Sequence, residues 1–221
     1  MASIAIDGPA GAGKSTIAKL LAKKMNYIYV DTGAMYRAIA YYLVNNNIDI
    51  ENSTELEKAC GSITVAIKYE NDNQQVYLNG ENVTPYLRTE ETGNMASKSS
   101  AKAPVRNALL ELQRDMAKEY DVVMDGRDIG TNVLPNAEVK IYLTASSKER
   151  ATRRYKELVA KGENADLDKI EADIIERDKR DMERDIAPLK QADDAMLIDS
   201  SNMSIDEVVE SIIDIANKKI S

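Results

Sequence analysis

The stretch that decides the fold is Gly8-Pro9-Ala10-Gly11-Ala12-Gly13-Lys14-Ser15-Thr16, residues 8–16 of the chain. It matches the pattern G-x-x-x-x-G-K-[ST] of a phosphate-binding loop. Residues 3–6 before it (SIAI) predict a short buried strand, and residues 17–24 after it (IAKLLAKK) predict an amphipathic helix. A strand, a glycine-rich loop and a helix in this order are the context that the motif requires.

The residue types of this loop suit a polyphosphate. Its glycines let backbone N–H groups turn towards an anion, and the helix that follows presents its positive N-terminus. We expect Lys14 to neutralise charge on the β- and γ-phosphates and the Ser15 hydroxyl to ligate Mg²⁺. A glycine-rich turn that binds nothing would need neither side chain.

The composition excludes several kinds of chemistry. A length of 221 residues suits one α/β domain with a small insert. The chain has no His, which excludes acid–base catalysis by His and metal sites built on His. The net charge of −8 argues against a general affinity for nucleic acid or anionic lipid, although clusters of Arg can still bind small anions. Cys60 is the only cysteine, so an intrachain disulfide is excluded and a small buried residue is expected.

We expect no targeting signal in this sequence. The N-terminus leads directly into a predicted strand, and no apolar run is long enough to cross a membrane. We therefore expect a cytoplasmic, monomeric enzyme that acts on small molecules, without nucleic-acid or membrane partners. With eleven Tyr but no Phe or Trp, any stacking on a base must use Tyr or an Arg plane.

Four further strands are predicted, at residues 27–30, 121–125, 139–143 and 195–198. Residues 51–103 interrupt this α/β rhythm. In that segment alternating residues at 63–67 and 75–78 predict strands, and Asn79-Gly80 is typical of a type I′ hairpin turn. The segment is therefore expected to form a small antiparallel sheet inserted into an α/β frame.

Charged residues follow two of the predicted strands. Asp125 ends one strand, where folds of this kind hold a metal directly or through water, although it could equally be a turn residue. Arg127 and Asp128 come just after it, at the edge where open α/β sheets bind ligands. Asp31 or Thr32 can cap the helix after the second strand. Arg37 lies about two turns into that helix, within reach of a ligand or simply exposed.

Three helices are predicted in the C-terminal third. The first, opened by residues 149–155 and ended by Lys161-Gly162, precedes one from about residue 167 to 186. Ser204 and Glu207 form a capping box for the last helix. Four of its residues are expected in the core: Ile205, Val208, Val209 and Ile212.

The second of these helices carries a stripe that begins apolar and becomes charged. Its members are Ile170, Ile174, Arg177, Asp181 and Arg184. One interpretation is a solvated face with i,i+4 ion pairs. The other is an arginine-bearing lid that closes over phosphates and expels water, because the planar guanidinium binds phosphate oxygens in pairs.

Four stretches together resemble the bacterial cytidylate kinases. They are residues 6–16 (IDGPAGAGKST), residues 31–37 (DTGAMYR), residues 125–131 (DGRDIGT), and Pro188-Leu189 with Ala192 and Asp194. The resemblance covers essentially the whole chain and includes an insert longer than that of adenylate kinases. It implies an α/β fold with a three-layer P-loop kinase core, a parallel five-stranded sheet, a small antiparallel β-containing insert and a helical lid. The division implied is core 1–35, monophosphate-binding insert 36–103, core 104–153, lid 154–184 and core 185–221.

The resemblance also implies roles for individual residues. ATP would be bound by Gly8, Pro9, Ala10, Gly11, Ala12, Gly13, Lys14, Ser15 and Thr16. CMP would be bound by Thr32, Tyr36, Arg37, Ser97, Arg106, Arg127, Asp128, Arg177 and Asp181, of which Ser97, Arg106 and Asp128 match positions that recognise cytosine. Catalysis would fall to Lys14, Arg127, Arg153, Arg154 and Arg184, and Mg²⁺ to Ser15 and Asp125. Thr32 stands where some members have Ser, which keeps the hydroxyl.

The activity implied is transfer of the γ-phosphoryl group of ATP to CMP or dCMP. This reaction needs no His, because the acceptor phosphate is already ionised near neutral pH and catalysis is mostly positioning and charge neutralisation. Two alternatives are weighed. A GTPase-like switch would carry D-x-x-G and N-K-x-D, which this sequence lacks. An enzyme of the same class could instead act on another nucleoside monophosphate or on a metabolite such as shikimate.

Overall fold

The computed structural model describes residues 1–71 and 73–220. In the described residues the chain forms eight strands: β1 (Ser3–Asp7), β2 (Ile28–Asp31), β3 (Val65–Glu70), β4 (Asn73–Leu78), β5 (Glu81–Asn82), β6 (Val122–Gly126), β7 (Val139–Thr144) and β8 (Met196–Asp199). Five of them form a parallel sheet in the order β2-β6-β1-β7-β8. The predicted five-stranded parallel sheet is therefore confirmed.

Helices cover both faces of this sheet. They are α1 (Lys14–Met25), α2 (Thr32–Asn45), α3 (Ser53–Gly61), α4 (Glu90–Ser99), α5 (Ala103–Glu119), α6 (Ser147–Ala160), α7 (Leu167–Glu183) and α8 (Ile205–Lys219). Successive side chains of β6 point to opposite faces of the sheet. Met124 packs with α2, α3 and α5, whereas Val123 packs with α1 and α8. Two buried cores on opposite sides of a sheet give the three-layer architecture that the sequence predicts.

The insert is a three-stranded antiparallel sheet in the order β3-β4-β5. Asn79 and Gly80 have φ values of 50° and 88°, which confirms the type I′ turn. The predicted strand at 63–67 is displaced, because β3 begins at Val65 and continues to Glu70. Helix α3, which packs Leu56 into the core beside the insert, was not predicted.

Both capping predictions are confirmed. Asp31 caps α2 by accepting a hydrogen bond from the Ala34 N–H at 2.8 Å. Ser204 and Glu207 form the capping box of α8. The prediction that Ile205 belongs to the core is wrong: it is 51 % exposed, because the first turn of α8 presents it to the cavity described below. Cys60 is buried, as expected.

Helix α7 is shorter than predicted. It ends at Glu183 rather than near Ile186, and Arg184 has extended backbone angles of φ −66° and ψ 140°. The Leu189 N–H donates to the Asp181 carbonyl at 2.8 Å, which satisfies a carbonyl of the last turn. The stripe is not a solvated face, because Asp181 is buried. No helix among residues 1–71 and 73–220 is both long and apolar enough to span a membrane.

Candidate active site

A large cavity of about 740 Å³ lies at the carboxyl ends of the central strands, where parallel sheets bind ligands. The predicted site residues that line it are Ala10, Gly11, Ala12, Gly13, Lys14, Ser15, Thr16, Thr32, Tyr36, Arg37, Ser97, Arg106, Asp125, Arg127, Asp128, Arg153, Arg177, Asp181 and Arg184. The structure thus brings residues from nearly the whole chain to one place. Gly8, Pro9 and Arg154 lie outside this lining.

The shape of the phosphate-binding loop depends on three glycines with positive φ, Gly8, Gly11 and Gly13. Gly8 has φ 149°, and a Cβ there would lie 1.9 Å from the Leu143 carbonyl oxygen of β7. Gly13 has φ 88° and precedes α1, so no side chain caps the first turn of that helix. The N–H groups of the first turn are therefore available to an anion, as the motif predicts.

Lys14 is buried beneath the loop. Its Nζ donates to the Pro9 carbonyl at 2.7 Å. Burial, and secondly the positive charge of Arg127, hold the pKa of Lys14 well below its usual range. A phosphate at this place would supply the counter-charge that favours the ammonium form.

Ser15 and Asp125 lie side by side at the end of the loop. The Ser15 hydroxyl donates to Asp125 Oδ2 at 2.9 Å, and the Tyr29 hydroxyl donates to Asp125 Oδ1 at 2.9 Å. Burial, followed by the charge of Asp31, raises the pKa of Asp125 to about 6. Hydroxyl and carboxylate oxygens are the ligands that Mg²⁺ takes, usually together with phosphate oxygens and water. The hydroxyl of Ser15 and the carboxylate of Asp125 therefore suit a cation that takes its other ligands from a nucleotide and water.

Three arginines concentrate positive charge beside this pair. Arg127 Nε donates to Asp181 Oδ2 at 2.9 Å, and Arg37 Nη2 lies 3.2 Å from Asp31 Oδ2. The Nε atoms of Arg37 and Arg177 are buried, and neither has a hydrogen-bond partner among residues 1–71 and 73–220. Burial, and then the charge of Arg127, lower the pKa of Arg177 to about 10. Buried, incompletely paired guanidinium groups fit an anionic ligand such as a phosphate.

A buried charge network forms the other end of the cavity. The Asp128 carboxylate accepts hydrogen bonds from Arg106 and, at 3.0 Å, from Arg184 Nη2. The Arg106 guanidinium lies 5.7 Å from the centre of the Tyr36 ring. Burial lowers the pKa of Arg184, and the charge of Asp128 opposes that effect. The network therefore presents fixed donors and acceptors next to an aromatic face, which suits a polar planar group.

Three of the arginines to which the resemblance assigns catalysis, Arg153, Arg154 and Arg184, are not together in this structure. Arg153 Nη2 donates to the Ser200 carbonyl at 2.8 Å, at the end of the cavity near Ile205. Arg184 lies in the network of Asp128 instead. Arg154 is half exposed and pairs with Glu157 at 3.3 Å. Only two of the three thus face the cavity in the arrangement described.

The structure also shows a pair that sequence reasoning missed, Arg150 and Asp178. Their side chains are 2.6 Å apart and buried. Arg150 Nη1 donates to the Ala10 carbonyl at 2.7 Å, and the Ala10 N–H donates to Asp178 Oδ1 at 3.3 Å. The pair fastens α7 to the phosphate-binding loop. Neither residue stands out in the sequence, because each lies in a highly charged helix and Asp178 falls off the predicted stripe.

Asp7 is a further residue for which the sequence predicted no role. Its carboxylate accepts hydrogen bonds from the Ile129 N–H at 2.8 Å and the Gly130 N–H at 2.7 Å. Burial raises the pKa of Asp7 to about 6, although these two hydrogen bonds lower it. Asp7 thereby holds the turn that follows Arg127 and Asp128. Its position directly before the glycine-rich loop was the feature of the sequence that could have indicated a role.

Comparison with known proteins agrees with this geometry. The family model described as cytidylate kinase matches residues 4–218. The chain is 47% identical over 218 residues to a cytidylate kinase of Bacillus cytotoxicus, covering 99% of this chain and 97% of that one. It is 49% identical over 216 residues to a cytidylate kinase of Thermosipho melanesiensis, covering 98% and 97%. Among solved structures it resembles a shikimate kinase from Acinetobacter baumannii in complex with shikimate, with a TM-score of 0.50, 15% identity and coverage of 100% and 96%, a likeness of fold alone.

Proposed function

The chain belongs to the cytidylate kinase family, and on this premise we propose that it transfers the γ-phosphoryl group of ATP to CMP or dCMP. The products are ADP and CDP or dCDP. The enzyme is a nucleoside monophosphate kinase, a phosphotransferase, with ATP as the phosphoryl donor. The observation that carries the proposal is a single cavity that joins the phosphate-binding loop to the buried network of Arg106, Asp128 and Arg184.

The donor half of the site is proposed to be the loop at residues 8–16. Its N–H groups and Lys14 would hold the β- and γ-phosphates. Ser15 and Asp125 would hold Mg²⁺, directly or through water, and the bound cation would neutralise phosphate charge. Arg153 lies beside the donor end and is proposed to orient the triphosphate.

The acceptor half is proposed to have two parts. The phosphate of CMP would meet Arg37, Arg127 and Arg177, whose guanidinium groups are crowded and incompletely paired. The base would meet Arg106 and Asp128. Ser97, Thr32, Tyr36 and Asp181 complete this half. The Thr32 hydroxyl donates a hydrogen bond to the Asp125 carbonyl at 2.7 Å, and this bond links the acceptor half to the cation site.

Several finer expectations remain proposals. We keep the division into core 1–35, insert 36–103, core 104–153, lid 154–184 and core 185–221. In this division α7 belongs to the lid, and the Asp181–Arg127 ion pair connects it to the core. Arg154 would then reach the transferred phosphoryl group only if the lid rearranges. A monomeric, cytoplasmic enzyme also remains a prediction.

A second acceptor class receives less support. The likeness to shikimate kinase concerns the fold alone. At the end of the cavity away from the phosphate-binding loop, Arg106 and Arg184 already share the carboxylate of Asp128, so these two cations are not free for the carboxylate of a small acid such as shikimate. A donor–acceptor network of this kind suits a nucleobase.

A panel of acceptors tests the proposal. The purified protein, ATP and Mg²⁺ are mixed with CMP, dCMP, UMP, AMP, GMP or shikimate, and ADP formation is followed in a coupled assay. CMP and dCMP should give the highest kcat/KM. Equal rates with AMP, or turnover of shikimate alone, would contradict the proposal.

Two variants test the assigned halves separately. Arg106→Ala should reduce kcat/KM for CMP at least tenfold and change the CMP:UMP ratio, with the KM for ATP little changed. Ser15→Ala should raise the Mg²⁺ concentration needed for half-maximal activity, while binding of ATP without Mg²⁺ stays the same. An unchanged CMP:UMP ratio would remove Arg106 from base recognition, and an unchanged Mg²⁺ requirement would remove Ser15 from the cation site.

A further inference from the structure

Helix α5 carries a second polar residue into the acceptor half of the cavity. Gln113 lies seven residues after Arg106, two turns along the same helical face. Only 1 % of its surface is exposed, and it lines the cavity with Tyr36, Arg106 and Asp128. A glutamine in the core of an amphipathic helix is unusual, because long polar side chains are rarely buried without a partner.

The amide of Gln113 makes no hydrogen bond of normal distance and angle in the described part of the protein. Neither its Nε2 nor its Oε1 has a hydrogen-bond partner among residues 1–71 and 73–220, and both atoms are fully buried. Nearly all buried polar side chains in folded proteins are paired, since an unpaired buried donor or acceptor is costly. An amide left with both groups free beside a cavity is therefore available to a ligand.

The neighbours of Gln113 show what it adds. Arg106 can only donate hydrogen bonds and Asp128, when ionised, can only accept them, and the two are paired with each other. Gln113 is neutral and carries one donor group and one acceptor. Burial raises the pKa of Tyr36, and the charge of Arg106 and a weak contact with the Gln113 amide oppose that effect.

We propose that Gln113 is a further base-contacting residue of the acceptor site, whose amide pairs with the donor–acceptor edge of the pyrimidine. This inference rests on the proposed function. In cytosine an exocyclic amine adjoins the ring nitrogen N3, so Oε1 can accept from the amine while Nε2 donates to N3. In uracil the two groups are exchanged, and rotation of the amide by half a turn matches them equally well. Gln113 thus contributes affinity for both pyrimidines, and the fixed charges of Arg106 and Asp128 contribute the choice between them.

Gln113→Leu tests this role, because leucine keeps most of the volume and removes both polar groups. We expect the KM for CMP to rise at least tenfold, and kcat/KM for UMP to fall by a similar factor. The CMP:UMP ratio should change less than threefold, and the KM for ATP less than twofold. The urea midpoint of unfolding should not fall, because an unpaired amide has been replaced by an apolar group.

A second variant tests the pairing itself. Gln113→Glu keeps an acceptor oxygen and, beside Arg106 and Arg184, is expected to be ionised and unable to donate. It can accept from the amine of cytosine or from the N3–H of uracil, but it can donate to neither N3 of cytosine nor O4 of uracil, so kcat/KM should fall for both CMP and UMP and their ratio should change less than threefold. Unchanged kcat/KM for both substrates, or a loss confined to one of them, would overturn the proposed pairing.

Other results separate this inference from the proposed function. A Gln113→Leu variant with an unchanged KM for CMP would overturn the inference, since the amide would then be an unpaired core group. A fall in the urea midpoint with equal losses for ATP and CMP would overturn it too, as that is the result of lost packing. If the wild-type protein forms no ADP with any pyrimidine monophosphate, the proposed function itself fails, whatever Gln113 does.

Discussion

Replacement of Arg184 by Ala should destabilise the folded protein far more than the same replacement of Arg154. The Arg184 side chain is 5 % exposed and donates to Asp128 at 3.0 Å and to the Ala187 carbonyl at 2.7 Å. A hydrogen bond to a charged group contributes about 1.5–3 kcal/mol, and one to a neutral group about 0.5–1.5 kcal/mol. Asp128 keeps Arg106 as a counter-charge, which limits the loss. We expect a loss of about 2–4 kcal/mol in the free energy of unfolding.

Arg154 supplies the matched control. It lies in the neighbouring helix, carries the same charge and pairs with Glu157 at 3.3 Å, but half of its side chain is exposed. Exposed ion pairs of this kind contribute about 0–1 kcal/mol, because water and salt screen them. A sequence view in which Arg184 ends an exposed helical stripe predicts the same small loss for both variants.

Urea unfolding followed by far-UV circular dichroism, without nucleotide, measures both variants. For a chain of this length a loss of 2–4 kcal/mol corresponds to a fall of roughly 5–15 °C in the melting temperature, which gives an independent reading. A loss for Arg184→Ala below about 0.5 kcal/mol would refute the reasoning, because a buried counter-ion would then contribute no more than an exposed one. Equal losses for the two variants would refute it as well.

Three further predictions follow from the site and the loop. The pKa of Asp7 is about 6 in the folded protein, against a usual value of 3.8. The stabilisation that comes from protonated Asp7 is therefore present below about pH 4 and is lost as the pH rises through 6. Urea unfolding should show the stability of the wild-type protein falling relative to that of Asp7→Asn between pH 4 and 6.5. Gly8→Ala should give little soluble folded protein, whereas Gly61→Ala, where a Cβ meets nothing within 4 Å, should fold normally, as soluble yield and melting temperature will show. Asp178→Asn weakens the contact of α7 with Ala10 and should raise the KM for ATP several times more than the KM for CMP in initial-rate measurements; equal changes would contradict the coupling.

Local sequence predicted the phosphate-binding loop because all the residues that form it are contiguous in the chain. The glycines, Lys14 and Ser15 act through neighbouring backbone, so their spacing along the chain is also their spacing in space. Asp125 and the residues after it could be placed because parallel strands end at one edge of a sheet. These predictions depend on secondary structure alone, which is why residues far apart in the chain could be assigned to one site.

The remaining features depend on how helices pack. Arg184 could not be placed from helical periodicity, because α7 ends one residue before it and the extended backbone directs its side chain to Asp128. Arg150 and Asp178 are 28 residues apart and meet because α6 packs against α7 over the loop. The unpaired amide of Gln113 is visible only when its surroundings are known.

The insert also protects one edge of the central sheet. Strand β2 is an edge of the central sheet, and exposed edges invite pairing with other chains. Here the Gln74 side chain accepts from the Asp31 N–H at 2.9 Å and donates to the Asp31 carbonyl at 3.1 Å, as a sixth strand would, and the Tyr69 hydroxyl donates to the Tyr29 carbonyl at 2.9 Å. A minimised kinase made by deleting the insert would therefore lose more than part of the proposed acceptor site. It would expose a β-edge that invites aggregation, so such a design must add its own edge protection.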